Sequence, residues 1–418
     1  MSKLIINGPK KLEGEIDLYG AKNAVLPIMA ATVLNGGKNV IKNCPSLADV
    51  HSTFKILEDL GCTVDYKNRI AIIDSYGIND FCIKENLMRE MRSSIIFLGA
   101  IIARCRKAVI SYPGGCELGP RPIDLHLKAF KQLGVEIEES HGYISCKVDK
   151  IKPQNLHLFF PSVGATENIM LLSTISDGET IITNAAKEPE IVDLQNYLNS
   201  MGAKITGAGS EIISIKGVKE LHDTEHSVMP DRIVASTYIC ATACCGGEIV
   251  LKNANSLHMQ SILVLLREAG INAEQSGKNL NISCKKRLTS ASAIKTMPYP
   301  GFPTDAQAIT MSVFSKSIGT TVFVENMFEN RFKHVEELIR MGADITVDGR
   351  VAVIKGVKNQ LGASVNASDL RGGAALVIAG LGALGITEIS NIHHIDRGYE
   401  NIESEFSKLG ADIYRISE

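Results

Sequence analysis

One phrase recurs six times along this 418-residue chain: the end of an amphipathic helix, a glycine, then a short strand. The glycines are Gly61, Gly134, Gly202, Gly270, Gly342 and Gly410, set in LEDLGCTVD, FKQLGVEIE, LNSMGAKIT, LREAGINAE, LIRMGADIT and FSKLGADIY at intervals of 73, 68, 68, 72 and 68 residues. A near-constant period of this length marks a repeated supersecondary unit. Glycine suits a helix end where the backbone must turn through positive φ, and the Val64, Ile137, Ile205 and Ile345 that follow suit half-buried strands. In the first copy Leu47, Val50, Phe54, Leu57 and Leu60 recur at spacings of three and four, which predicts a helix ending at Gly61 with one buried stripe. Such a unit is too short to bury two helices and several strands alone, and the whole chain exceeds what one core serves, so a grouping of three and three into two like domains is expected.

Composition narrows the function classes. Lys and Arg number 44 against 46 Asp and Glu, and 45% of residues are apolar, which excludes intrinsic disorder and gives no global charge footprint for a nucleic-acid backbone. A local basic cleft for a small anion stays open. The apolar stretches 95–103 and 372–386 fall short of the roughly 20 residues that cross a bilayer, so no membrane association is expected. The start, MSKLIING, lacks the apolar segment of a secretory signal, and a cytoplasmic protein is expected. The ten cysteines form no CxxC pair and the ten histidines show no ligand spacing, so neither a metal nor a disulfide framework is implied. Cys244 and Cys245, in an alanine-rich apolar run, read as core. Gly380, Gly382 and Gly385 spell GxGxxG but stand after a helix-like run and before a strand-like one, the reverse of a dinucleotide fold, so no cofactor is expected.

The chemistry-bearing residues lie in irregular segments. Cys116 sits in PGGCELGPRPIDLH, whose three glycines and three prolines offer no core for a thiol to fill; Arg121 and His126 nearby would lower its pKa and poise it to move a proton near neutrality. Lys22 and Asn23 precede an apolar helix, where a solvated Lys is the rival reading. Arg397, in HHIDRGYE, is a cation in a polar turn. Arg92 and Arg371 stand at starts of apolar helices and read equally as exposed ends. Asp305 follows the rigid PYPGFPT, with a helix N-cap as its rival. Ser162, Val163 and Gly164 offer a hydroxyl and backbone amides at a helix entrance, a general design for anions.

With the repeats, the KNA element and the PGGCxxGxRPxDLH loop assembled, the chain resembles the enolpyruvyl transferase family, in particular its UDP-N-acetylglucosamine 1-carboxyvinyltransferases. SVGATEN, NAAKEPEIVDL, MPDRI, PGFPTDAQA, FENRF, DLRGGAALV and HIDRGYENIE match in order over essentially the whole length. The resemblance implies an α/β fold of two inside-out barrel domains, each of three βαβαββ-type repeats, helices inside and sheets outside, with the active site in the interdomain cleft. It divides the chain into 22–229, which carries the Cys loop, and 1–21 plus 230–418.

The reaction implied is transfer of the enolpyruvyl group of phosphoenolpyruvate to the 3-hydroxyl of UDP-N-acetylglucosamine, with release of phosphate, at the first committed step of peptidoglycan precursor synthesis. Phosphoenolpyruvate is a multiply charged anion whose C2 becomes cation-like when C3 is protonated, so cations, an acid and a base are needed. By resemblance Cys116 is the acid, Asp305 the base, and Lys22 and Arg397 complete the catalytic set. Lys22, Asn23, Arg92, Arg121, Arg371 and Arg397 would bind phosphoenolpyruvate; forked guanidinium groups suit its phosphate and carboxylate. Asn23, Arg92, Arg121, Pro122, Asp124, Leu125, Ser162, Val163, Gly164, Asp305 and Met327 would line the nucleotide-sugar side. The retained Cys116 implies covalent inhibition by fosfomycin. Phe160 stands where some members have Lys, so no phosphate contact is assigned there. The competing readings are the related transferase of the shikimate pathway, an RNA 3'-terminal phosphate cyclase and a non-catalytic paralogue. The loop Cys with PGFPTD argues against the first, balanced charge against the second, and the intact Lys22, Cys116, Asp305 and Arg397 against the third.

Overall fold

A computed structural model describes residues 2–112 and 123–417, with the backbone alone at Arg92. These residues fall into two units, one of 19–112 with 123–229 and the other of 2–18 with 230–417. The six sequence repeats become six four-stranded sheets. In the first, Lys38–Lys42 runs antiparallel to Ile70–Asp74, which pairs in turn with Thr63–Lys67. Thr224–Ser227 then joins the free edge of Lys38–Lys42 in parallel. The same parallel, antiparallel, antiparallel order recurs around each later repeat.

The last repeat is closed by the beginning of the chain. Ser2–Gly8 inserts between Gly385–Ser390 and Ile413–Ser417, antiparallel to both. Leu12–Asp17 then adds in parallel to Gly247–Lys252, so both N-terminal strands serve the unit that contains 230–417.

Each unit has three inner helices. In 19–229 they are Lys22–Ala31, Phe97–Cys105 and Val163–Ser173; in the other unit, Arg232–Cys245, Thr304–Phe314 and Leu370–Gly382. Twelve of the thirteen residues of Leu370–Gly382 are buried, so this helix is enclosed on all sides rather than amphipathic. The sheet strands instead alternate buried and exposed positions, as Ile70–Asp74 does, and cover the helices with one face. Helices inside and sheets outside is thus the arrangement within each unit.

The outer helices explain the repeated glycines. Ala48–Asp59 buries Val50, Phe54 and Leu57, each worth about 1.5–3 kcal/mol of apolar transfer, and ends at Gly61 with φ +99°. The other five glycines have φ of +90°, +99°, +117°, +90° and +87°. At each, the residue after the glycine donates its N–H back to the last helical turn, as Cys62 does to Leu57 O at 2.9 Å and Ala411 to Phe406 O at 3.1 Å. That left-handed closure satisfies carbonyls the helix leaves open and aims the chain into the next strand.

Candidate active site

Lys22, Asn23, Ser162, Val163, Gly164, Asp305 and Arg371 stand at the N-terminal ends of inner helices, where free N–H groups and the helix dipole favour negative charge. In unit 19–229, Lys22 is the first residue of its helix. It is 9% exposed, and its Nζ lies 2.6 Å from Asp49 Oδ2. The solvated-Lys reading is therefore set aside: a buried carboxylate, one the sequence did not single out, holds the ammonium in place. Asn23 is half-buried beside it.

Ser162 caps Val163–Ser173, its Oγ accepting the Ala165 N–H at 3.3 Å, as its place before an apolar run predicts. Gly164 is required by crowding, since a Cβ there would meet His126 Cε1 at 3.1 Å. His126 is buried, and its Nδ1 lies 2.8 Å from Asn168 Nδ2. Asn168 Oδ1 already accepts the Gly99 N–H at 2.8 Å, so its amide nitrogen faces the ring and Nδ1 is an acceptor. Cys116, the thiol it was expected to act on, lies outside the described residues. Asp124 and Leu125 open the helix Asp124–Gln132, with Asp124 exposed and paired to Lys128 at 3.4 Å. Phe160 is partly exposed. Cys116, Arg121 and Pro122 lie outside the described residues, as does the side chain of Arg92.

In the other unit the three helix starts are linked by charge. Asp305 stands in the first turn of Thr304–Phe314, but the N-cap residue is Pro303. The N-cap reading of Asp305 gives way to a double ion pair: Oδ1 accepts from Arg331 Nη2 at 2.9 Å and Oδ2 from Arg371 Nη2 at 3.2 Å. Arg371 is 4% exposed, not the exposed helix end the sequence also allowed. Burial opposes its charge, but Asp305, then Tyr399 and Asp231, more than offset that and hold it firmly protonated. Asp369 caps this helix, accepting the Arg371 and Gly372 N–H groups at 3.0 Å each. Asp231 caps Arg232–Cys245 in the same way.

Tyr399 fixes the far side of Arg371. Its hydroxyl accepts from Arg371 Nη1 at 3.3 Å and stands 2.8 Å from Thr237 Oγ1. Thr237 spends its own proton on Ile233 O, so the phenol is the donor to Thr237. Burial keeps that phenol protonated. Arg397, two residues before, is half-buried in a turn anchored by Asp396, whose carboxylate takes two bonds from Arg415 at 2.9 and 2.6 Å.

Two further residues were not legible as functional in the sequence. Arg331, in the FENRF motif, is 2% exposed and also donates to Thr304 O at 3.1 Å. Glu325, 1% exposed, accepts from Thr296 Oγ1, Thr304 Oγ1 and the N–H groups of Met327 and Phe328 at 2.8–3.1 Å. It thereby ties the start of the Asp305 helix to the Met327 loop. Apart from Met327 and Phe328, their partners named here lie 21–29 residues away, so no local spacing announces them.

What the arrangement offers is a fixed carboxylate at a helix N-terminus, two buried guanidinium groups upon it, and a buried ammonium in the other unit. None of these side chains packs as apolar core does, and each costs desolvation free energy unless paired.

Comparison with known proteins assigns the lineage. The family model for EPSP synthase (3-phosphoshikimate 1-carboxyvinyltransferase) matches residues 6–406. UDP-N-acetylglucosamine 1-carboxyvinyltransferase 2 of Caldanaerobacter subterraneus is 56% identical over 416 residues, covering 100% of each chain. UDP-N-acetylglucosamine 1-carboxyvinyltransferase of Geobacter metallireducens is 46% identical over 418 residues, again covering 100% of each. Among solved structures, the enolpyruvyl transferase NikO from Streptomyces tendae superposes with a TM-score of 0.90 at 23% identity, over 99% of this chain and 98% of that one. EPSP synthase from Acinetobacter baumannii gives 0.77 at 18%, over 100% of each. The repeated sheets, the enclosed helices and these full-length matches agree: the chain belongs to the EPSP synthase family of enolpyruvyl transferases.

Proposed function

We propose that this chain transfers the enolpyruvyl group of phosphoenolpyruvate to the 3-hydroxyl of UDP-N-acetylglucosamine, releasing phosphate, as the committing step of peptidoglycan precursor synthesis in the cytoplasm. The observation that carries the reading is Asp305, a carboxylate with an oxygen on each of two buried arginines, in a chain alike over its full length to transferases of that name. Asp305 is 30% exposed, so it is anchored yet open to a proton donor from outside.

On this reading Cys116 gives a proton to C3 of phosphoenolpyruvate and C2 becomes electrophilic. The sugar 3-hydroxyl adds to C2 while its proton passes to Asp305. The Cys116 thiolate then takes back a proton from C3, the C–H pair re-forms the C2–C3 double bond, phosphate leaves with the electron pair of its C2–O bond, and Asp305 gives its proton to solvent. Lys22, Arg92, Arg121, Arg371 and Arg397 hold the phosphate and carboxylate, with Asn23 beside them. Pro122, Asp124, Leu125, Ser162, Val163, Gly164 and Met327 line the nucleotide sugar. General acid and base steps contribute about 10²–10⁴ in rate each, and fixed charges around the anion supply much of the rest. Arg331, Glu325 and Tyr399 act through Asp305, the Thr304 turn and Arg371 as positioning residues.

Phosphate release assayed with each acceptor tests the proposal. Release should require phosphoenolpyruvate together with UDP-N-acetylglucosamine; release driven by shikimate 3-phosphate would assign the chain to the other branch of its family. Fosfomycin should add once per chain, at Cys116 on peptide mapping, and an adduct elsewhere would remove that residue from its role.

A further inference from the structure

At the C-terminal end of the Arg232–Cys245 helix, in the unit of 2–18 and 230–417, lies a cavity of about 710 Å³ that the proposed reaction does not use. About 20 Å of helix separates Cys245 from Arg232 at the other end, given the 1.5 Å rise per residue. Its volume is within the range of small-molecule sites, about 300–1,000 Å³. Its walls carry six Lys or Arg against Glu13 and Glu248. Of the cations, Lys11, Lys285, Lys286 and Lys358 are exposed at the rim.

The wall also holds thiols. Cys244 and Cys245, read from the sequence as core, are instead half-buried and line the cavity, with Cys284 beside them on the strand Asn279–Cys284. Lys316 reaches in from the end of the Thr304–Phe314 helix, and its Nζ donates to Cys244 O at 3.2 Å and Gly382 O at 2.5 Å. A Cβ on Gly382 would meet Cys244 Sγ at 2.6 Å and Lys316 Nζ at 2.9 Å, so sulfur and ammonium crowd the same point. A hydrogen bond from Cys245, and next the charge of Lys316, draw the Cys244 thiol below its ordinary pKa despite burial. Burial instead pushes Cys62 and Cys146 up to about 12, and Cys245, Cys284, Cys82 and Cys105 are all raised. Of the seven thiols just named Cys244 is the one drawn down, and it stands in the cavity wall close to the Lys316 ammonium.

We infer that this cavity is a second ligand site, one that takes a small disulfide bearing several negative charges and joins half of it to Cys244. The rim lysines draw in the anion, and Lys316 stands beside the sulfur. The Cys244 thiolate, its proton given to solvent, attacks one sulfur of the incoming disulfide. That S–S bond breaks, a new S–S bond to Cys244 forms, and the other half leaves as a thiolate. Cys244 is oxidised and the departing half reduced, with no further reagent. The inference does not depend on the proposed transferase reaction and is read without an activity assay.

The test treats the full-length protein with oxidised glutathione, a dianion at neutral pH, or with cystamine, a dication, and follows each thiol by peptide mass mapping. The anionic probe should label Cys244 at least about tenfold faster than the cationic one, the scale on which charged clefts alter encounter rates. Cys82 and Cys105, half-buried outside the cavity, serve as internal references and should show no such preference. A Lys285→Gln/Lys286→Gln/Lys358→Gln variant, altered only at exposed positions, should lose the charge preference while Cys244 still reacts slowly. Equal rates with both probes at Cys244, labelling confined to other thiols, or an undiminished preference in the triple variant would each overturn the inference.

Discussion

Replacing Arg331 by Met tests whether the candidate base is held by its surroundings. The side chain is 2% exposed and spends Nη2 on both Asp305 Oδ1, at 2.9 Å, and Thr304 O, at 3.1 Å. Met keeps much of the stem and removes both bonds. Hydrogen bonds to charged groups contribute about 1.5–3 kcal/mol each. Orphaning a fully buried charge costs about 3–5 kcal/mol, but Asp305 keeps Arg371 at 3.2 Å and is 30% open to water, which discounts that figure. The unit should therefore lose about 2–4 kcal/mol, with about 1–2 of it returning as coupling in a cycle with Asp305→Asn. Urea unfolding of wild type, both single variants and the double variant measures that coupling. Turnover should fall by about a hundredfold, the scale of a 1 Å misplacement, with little change in the KM for the nucleotide sugar. Coupling below about 0.5 kcal/mol, or unchanged turnover, would show that Arg331 does not position Asp305.

Two other perturbations probe the fold. Glu167 is buried in the Val163–Ser173 helix; burial first, then Glu190 and Glu188, raise its pKa well above the ordinary carboxylate value. A raised carboxyl pKa means stability is fully present below the unfolded value of about 4.3 and is lost as pH rises toward the folded one. Glu167→Gln should therefore gain on wild type as pH goes from about 5 to 8 in unfolding experiments, and parallel pH profiles would contradict this. Gly342→Ala and Gly61→Ala share positive φ but differ in room: a Cβ meets nothing within 4 Å at Gly342, and Gly77 O at 2.6 Å at Gly61. The first should cost about 1–2 kcal/mol from backbone conformation alone and the second clearly more; equal losses would mean crowding is irrelevant at the repeat glycines.

The repeats were legible because each rests on a local necessity, a glycine in left-handed backbone after an amphipathic helix, and local necessities leave a pattern in sequence. The GxGxxG run shows how such patterns mislead. Gly380 is small because a Cβ would meet Ile6 Cδ1 at 3.0 Å, Gly382 because of Cys244 and Lys316, and Gly385 because its φ is +91°. Three unrelated reasons imitate one motif. Asp305, Lys22 and Arg371 were identifiable as candidates, but their surroundings were not. Asp49, Arg331 and Glu325 are ordinary charged residues until folding brings them to partners many positions away. Cys244 was misjudged for a related reason: an apolar helix predicts burial along its length, and only the neighbouring Lys316 and the strand at Cys284 reveal that its last turn faces a cavity.

The central claim is that Asp305, gripped by Arg331 and Arg371, takes the proton of the acceptor hydroxyl. Its most direct measurement sets the turnover of Asp305→Ala beside that variant's affinity for UDP-N-acetylglucosamine. Loss of a general base predicts a fall of about 10²–10⁴ in turnover with nucleotide-sugar binding within a few-fold of wild type. Equal losses in both, or turnover near that of wild type, would contradict the account.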